Sequence, residues 1–184
     1  MQTSKLAKAI KKSKHLQVVN AVDENGELFQ LVGYAGNLYR IENMPMLNDV
    51  QMLTFLGMEK EDKGSLNYQE SNFKGKLYYD DYPGEKQLHW SVLASDPELT
   101  AFWPDDISDS DIAFGMTDSF GLAGLTGSTR AFMRKFGDIK YIAIKDGMFL
   151  RALLAPQKVS VERLIERIDH ERRLLERLGG EKHE

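Results

Sequence analysis

Two short turns, each between two apolar runs, constrain the fold more than any other feature of this chain. Asn25-Gly26 separates residues 16–22 from 27–34, and Asp146-Gly147 separates residues 139–145 from 148–154. Asn-Gly and Asp-Gly favour the tight turns of β-hairpins, because these residues adopt positive φ more readily than others do. Gly36-Asn37 marks a further turn, before residues 38–42. The sequence therefore predicts an antiparallel sheet made of hairpins.

Capping residues and apolar spacing predict four helices beside these strands. Their expected starts are Thr3 or Ser4, Asn48 in a capping box with Gln51, Ser128 or Thr129, and Ser160. The last helix is long and covers residues 161–178. The predicted fold class is α+β, an antiparallel sheet with two short basic helices, one short central helix and a long C-terminal helix. Residues 1–156 are expected to form one α+β domain, and residues 157–184 the C-terminal amphipathic helix and a polar tail.

Positive charge is concentrated in two of these predicted helices. Five lysines and no acidic residue precede Asp23, although the net charge of the chain is −4. A face of one sign attracts counter-charge, and phosphate is a common biological counter-charge. Aromatic residues for base stacking are missing there, so binding would be to backbone phosphates without sequence specificity. The candidate nucleic-acid contacts are Lys5, Lys8, Lys11, Lys12 and Lys14 in the first helix, and Arg130, Arg134 and Lys135 in the second. The alternative is that the lysines only keep the protein soluble.

The two basic helices also occupy similar places in the chain. Each is followed by a strand, a turn containing glycine and a second strand, although the two segments share almost no identical residues. This order suggests that two helix-hairpin halves build the domain.

An acidic stretch offers a second candidate surface. Asp105, Asp106, Asp109 and Asp111 lie close together, and such a cluster could bind a basic protein partner. The stretch does not fit an EF-hand, because Phe120 stands where the twelfth-position glutamate belongs. A solvated acidic loop is the alternative interpretation. Convergence of Asp105, Asp109 or Asp118 with other carboxylates would be required for two-metal chemistry.

The sequence does not point to catalysis. The chain has no cysteine, its four histidines are scattered, and neither Ser119 nor Ser128 lies in a Gly-x-Ser-x-Gly motif. We expect no catalytic residue, no metal and no cofactor, and therefore a non-enzymatic protein. No apolar run is long enough to span a membrane and no secretory signal is recognisable, so a cytoplasmic location is expected.

The predicted C-terminal helix carries an apolar stripe at alternating steps of three and four residues. The stripe could dock on the sheet of its own domain or pair with a second copy of the chain. Its members, the candidate oligomerisation residues, are Val161, Leu164, Ile168, Leu175 and Leu178.

Three stretches resemble the DNA sliding clamps. Residues 36–40 (Gly-Asn-Leu-Tyr-Arg) are similar to a turn and strand of bacterial clamps, residues 102–104 (Phe-Trp-Pro) to a stretch of phage processivity clamps, and residues 149–156 to the closing strand of a clamp. In that family paired helix-and-sheet halves build each domain, and basic residues on the helices face DNA. The resemblance implies a clamp-like, DNA-associated module that forms homo-oligomers. The alternatives are a small protein-binding inhibitor or accessory factor of a phage or mobile element, acting through the acidic surface, and a metal-dependent nuclease-type enzyme.

Overall fold

A computed structural model describes residues 2–77, 82, 84–93, 96–105, 112–136 and 138–159. The helices are α1 (Thr3–Ser13), α2 (Asp49–Phe55) and α3 (Thr117–Leu122), with a 3-10 helix at Lys60–Ser65. The strands are β1 (His15–Val22), β2 (Leu28–Tyr34), β3 (Asn37–Arg40), β4 (Asn67–Lys76), β5 (Lys86–Leu93), β6 (Asp96–Trp103), β7 (Ala113–Met116), β8 (Thr129–Phe136), β9 (Ile139–Asp146) and β10 (Phe149–Leu154).

The ten strands of the described residues form one mixed sheet in the order β4-β1-β2-β3-β10-β9-β8-β5-β6-β7. Strand β4 runs parallel to β1, so the prediction of a purely antiparallel sheet is wrong. Between β3 and β4, α2 and the 3-10 helix carry the chain back to the end where β1 begins, and the Asn67 amide donates to the Lys14 carbonyl at 2.8 Å. Parallel neighbours need a long crossover of this kind, which the short-range turn pattern does not reveal.

Two units of one helix and three antiparallel strands meet at the centre of the sheet. The first unit is α1-β1-β2-β3 and the second is α3-β8-β9-β10, and they join through the antiparallel pairing of β3 with β10. Each unit contains a two-residue hairpin turn, Ala35-Gly36 in the first and Gly147-Met148 in the second. Positive φ angles at Ala35, Gly36 and Gly147 fit such turns. A helix followed by antiparallel strands thus occurs twice, but the helix of the second unit is α3 and not the predicted basic helix that begins at Ser128 or Thr129.

The second basic helix is the main error in the predicted fold. The residues expected to form it are strand β8, and the helix of the second unit is α3, which lies just upstream. In β8 the side chains of Ala131 and Met133 join one core, while Phe132 packs against the other. Hydrogen bonding to β9 on one side and β5 on the other fixes this alternation. The predicted C-terminal helix lies outside the described residues.

The larger core fills the face of the sheet that carries the helices, here called the inner face. Leu6 and Ile10 of α1, Met52 of α2 and Phe120 of α3 all belong to it. The sheet also folds over this face at β5, because residues 86–88 pair with β8 while residues 89–93 pair with β6. A methyl group added at Gly115 of β7 would meet Ile142 of β9 at 3.7 Å, which places β7 over the inner face. The core thus lies between the main sheet and a lid of helices and strands.

A smaller core lies on the opposite, outer face. It consists of Ala21, Phe29, Leu31, Leu77, Ala143, Leu150 and Leu153. Two described residues between β4 and β5 also lie on this face. Leu77 belongs to the outer core, and Glu85 pairs with side chains of β8 and β9 that point the same way.

Candidate nucleic-acid interface

Helix α1 and its C-cap residue, Lys14, present all five predicted lysines to solvent from a rigid support. Leu6, Ala7 and Ile10 are buried against the sheet, whereas Lys5, Lys8, Lys11, Lys12 and Lys14 are exposed. Apolar residues at i, i+1 and i+4 anchor one side of the helix, so the opposite side holds a fixed orientation. Gln2, rather than the expected Thr3 or Ser4, is the N-cap residue, and its amide donates to the Leu122 carbonyl at 3.4 Å. Helix α1 therefore starts where α3 ends.

One of these lysines already has a protein partner. The Lys11 ammonium lies 2.7 Å from a carboxylate oxygen of Asp62 in the 3-10 helix. The hydrogen bond from Lys11 lowers the pKa of the Asp62 carboxyl group below its ordinary value. Lys5, Lys8, Lys12 and Lys14 form no ion pair with the described residues. Four cationic groups, three on α1 and one at its C-cap, thus remain available to an external anion.

The two arginines of β8 do not extend this surface. Arg134 is fully buried, and its Nε donates to Glu85 at 2.8 Å. Arg130 donates to the backbone carbonyls of Gly127 and Thr129. Both arginines point from the outer face, while α1 covers the inner face. The lysines of α1 and the two arginines of β8, which the sequence analysis assigned to one DNA-binding surface, thus lie on opposite faces of the sheet. Lys135 is exposed, and its own carbonyl accepts a hydrogen bond from the Tyr82 hydroxyl at 2.9 Å.

Sequence reasoning missed the buried cluster that binds Arg134. Glu85 accepts a second hydrogen bond from the Lys145 Nζ at 2.9 Å, and the three side chains are at most 10% exposed. The Arg134 guanidinium also lies over the ring of Tyr82, 5.0 Å from its centroid. Nothing local marks Glu85, which follows a Pro-Gly turn far from β8 and β9 in sequence. The alternation of charged with apolar residues in those two strands is the signal that could have suggested buried cations.

The acidic candidate surface is described at one residue. Asp105 is exposed, and its carboxylate lies 2.5 Å from Nε2 of the exposed His89. Asp106, Asp109 and Asp111 lie outside the described residues, so their grouping stays a prediction. The same holds for the apolar stripe of Val161, Leu164, Ile168, Leu175 and Leu178.

A second polar network surrounds Asp146 at the end of β9. The hydroxyls of Ser128 and Thr126 donate to one carboxylate oxygen and the Arg151 guanidinium donates to the other. These donors, Ser128 first and then Thr126, lower the pKa of the Asp146 carboxyl group. Arg151 also binds Glu42, just after β3, and so ties the two units together. Both oxygens of the Asp146 carboxylate accept hydrogen bonds from this fold, while Nε of Arg151 is buried without a hydrogen-bond partner among the described residues. The contacts of Asp146 indicate a structural role.

The described residues offer no evident reaction centre. Ser119 is buried, and its Oγ lies 3.1 Å from the hydroxyl of Tyr34. Its carbonyl accepts from the Tyr39 hydroxyl at 2.9 Å, and burial raises the pKa of Tyr39 far above the ordinary value. Within the ranges that the structure describes, no three histidine, aspartate or glutamate side chains are placed to hold a metal ion. No helix in these ranges combines the length and apolar character needed to cross a membrane.

No protein-family model, curated protein or solved structure matches this chain. The case for function therefore depends on the geometry of α1 and on the arrangement of the two units.

Proposed function

We propose that this protein is a non-catalytic, clamp-like module that binds the phosphate backbone of DNA through α1 without sequence specificity. The observation that carries the proposal is the set of four exposed lysines without an ion-pair partner among the described residues. Three of them lie on α1, whose other side is buried, and Lys14 is its C-cap residue. A merely solubilising helix commonly mixes both signs of charge, whereas α1 contains no acidic residue.

The spacing of the lysines suits a phosphate backbone. Lys5, Lys8 and Lys12 follow one another at steps of three and four residues, so they share one side of the helix. At 1.5 Å per residue the stripe is about 10 Å long, while phosphates of one DNA strand recur every 3.4 Å or so of axis. The stripe is therefore long enough to reach neighbouring phosphates of one strand. Lysine donates as a compact point charge and demands no particular base, which favours binding to any sequence.

The arrangement of the two units supports the clamp-like part of the proposal. Two helix-and-sheet units that join edge to edge, with their helices on one face, follow the plan of the clamp family stated above. The chain departs from that plan in the second unit, because α3 has six residues and carries Asp118 instead of basic residues. The proposed contacts are accordingly the lysines of α1. Arg130 and Arg134 are left out, since they face the other way.

A DNA-binding titration at two salt concentrations tests the proposal. Four phosphate contacts predict a slope of about −3.6 in a plot of log K against log salt, hence a roughly 100-fold loss of affinity between 50 and 200 mM. Fluorescence anisotropy with two duplexes of unrelated sequence should give equal affinities. Replacing Lys5, Lys8 and Lys12 with alanine should reduce the slope by about 2.7 while preserving the helix, since alanine is the best helix former.

The matched control is Lys74→Ala, an exposed lysine on β4 about 23 Å along the strand from the end that adjoins α1. This variant should change the slope of log K against log salt by less than about 0.9, the contribution of one phosphate contact. Absence of binding at 50 mM salt, or equal losses for the control and the triple variant, would reject α1 as the DNA-binding surface. Sedimentation with and without duplex tests the clamp-like part separately, because a ring needs several copies of this chain.

A further inference from the structure

The side of β6 and β7 that faces away from the inner core is an apolar surface, and part of it is buried from water. Side chains of β6 alternate between the two sides, with Phe102 in the inner core and Leu99 and Ala101 pointing away from it. On β7, Phe114 and Met116 point the same way as Leu99 and Ala101, since they pair with Ala101 and Leu99 respectively. We call these four residues the β6–β7 patch.

Two members of the patch are more buried than a strand surface open to water would allow. Leu99 is 6% exposed and Ala101 is 7% exposed, although neither belongs to the inner or the outer core. Phe114 and Met116 are half-buried, whereas Ser91, which pairs with Ala101 from β5, is exposed. The shielding is thus concentrated over β6 and β7 and falls away toward β5.

The chain leaves the described residues beside this patch. After β10 it passes to the free edge of β7, where the Gln157 amide donates to the Phe114 carbonyl at 2.7 Å. The described part ends at Val159, and 25 residues follow, 160–184. Val161 is four residues beyond Gln157 and can therefore lie up to about 13 Å from it. Neighbouring strands are about 4.8 Å apart, so that reach covers both β7 and β6.

We infer that the apolar stripe of the C-terminal segment docks on the β6–β7 patch of its own chain. The patch members on each strand are two residues apart, which is about 7 Å along the strand. In the helix that the sequence predicts over 161–178, Val161 and Leu164 are about 4.5 Å apart along the axis, so these first members of the stripe would meet the patch. This inference is independent of DNA binding by α1.

The chain itself is a better occupant than a second copy for two reasons. The attachment at Gln157 keeps the segment next to the patch, and a short tether gives an effective concentration in the millimolar range. A second copy would instead require helix pairing through the same stripe. Glu171 occupies one position of that seam, and a charged residue there weakens a coiled coil of barely three heptads.

The absence of cysteine allows a direct test by disulfide trapping in the full-length protein. The variant Met116→Cys with Leu164→Cys should form an intramolecular disulfide under mild oxidation, read as a faster band on a non-reducing gel. The matched control, Met116→Cys with Glu166→Cys, places the second thiol on the opposite side of the predicted helix and should cross-link at least ten times more slowly. A disulfide-linked dimer that dominates at low micromolar protein would overturn the inference in favour of a second copy. Equal rates for both variants would overturn it in favour of an undocked tail.

Hydrogen exchange gives a measurement that does not depend on thiol geometry. In the variant with Leu164→Asp and Ile168→Asp, amides of β7 should exchange at least tenfold faster than in the unchanged protein. Amides of β1 and β2, on the far side of the sheet, should keep their rates and thereby show that the domain remains folded. Unchanged protection of β7 would contradict docking, even if the disulfide forms.

Discussion

Glu85 holds two buried cations, and its replacement is the sharpest test of how the outer face is stabilised. Its two carboxylate oxygens accept hydrogen bonds from Arg134 at 2.8 Å and from Lys145 at 2.9 Å. The exposed fractions of the three side chains are 10%, 0% and 5% in that order. Glu85→Gln keeps the shape of the side chain and removes its charge. Breaking a buried ion pair by neutralising one partner costs about 3–5 kcal/mol, because the remaining charge stays buried.

Thermal unfolding followed by circular dichroism measures this loss. For a protein of this size 1 kcal/mol corresponds to about 2–4 °C, so Tm should fall by about 6–20 °C. The control is Glu98→Gln, an exposed glutamate on β6, which should change the free energy of unfolding by less than about 0.5 kcal/mol. If Glu85→Gln melts within 2 °C of the unchanged protein, the ion pairs of the outer face do not contribute as argued.

The same cluster separates a packing role for Arg134 from a DNA-binding role. Arg134→Gln should lower the stability by an amount similar to that for Glu85→Gln, since either change breaks the same pair. The affinity of the folded variant for duplex DNA, measured at 15 °C, should equal that of the unchanged protein within twofold. A variant that keeps its Tm but binds DNA tenfold more weakly would show that Arg134 reaches DNA.

Three further changes test other parts of the fold. Gly33→Ala would place a methyl group 1.7 Å from the Asn37 carbonyl oxygen, so the β2–β3 hairpin must open. Urea unfolding should then show a decrease of more than about 4 kcal/mol in the free energy of unfolding. In the control, Gly64→Ala, the added methyl group meets no atom within 4 Å, and this free energy should change little. Tyr39→Phe leaves a buried carbonyl of α3 without its donor and should cost about 1–3 kcal/mol in the same assay. The pKa of Asp146 is lowered in the folded protein, so its ionised carboxylate stabilises the fold above the unfolded pKa of about 3.9. This stabilisation is lost as the pH falls through the lower folded pKa. From about pH 4 downward, Asp146→Asn should therefore lose less stability than the unchanged protein does.

The elements that the sequence predicted correctly are those encoded by neighbouring residues. Asn48 and Gln51 form the expected capping box of α2, with hydrogen bonds of 2.9 and 3.0 Å. Asn25-Gly26 lies in the connection between β1 and β2, and the two-residue turn after Asp146 begins at Gly147 and joins β9 to β10, as expected. Each of these depends on contacts within a few residues, so a short window of sequence contains the whole interaction.

The elements that it missed depend on distant partners. The run of Phe132, Met133 and Phe136 fits one side of a helix as well as the two sides of a strand, and pairing with β9 and β5 decides for the strand. Strand β4 lies parallel to β1 from a position about 50 residues later in the chain. The charge of a side chain also does not reveal whether the side chain is exposed or buried. The lysines of α1 face water, while Arg134 is buried against a glutamate that lies 49 residues earlier.

The comparison of the two units narrows where DNA could lie on this protein. The order β1-β2-β3-β10-β9-β8, with β3 antiparallel to β10, relates the units by an approximate two-fold axis perpendicular to the sheet. Both helices pack on the inner face, yet α1 and its C-cap residue carry four lysines without an ion-pair partner among the described residues, whereas α3 contains no basic residue. The two units are therefore similar in strand order and helix position but differ in the charge of their helices. If α1 binds DNA as proposed, DNA on a single copy should lie over α1 and off the axis, and surrounding it would require several copies arranged in a ring.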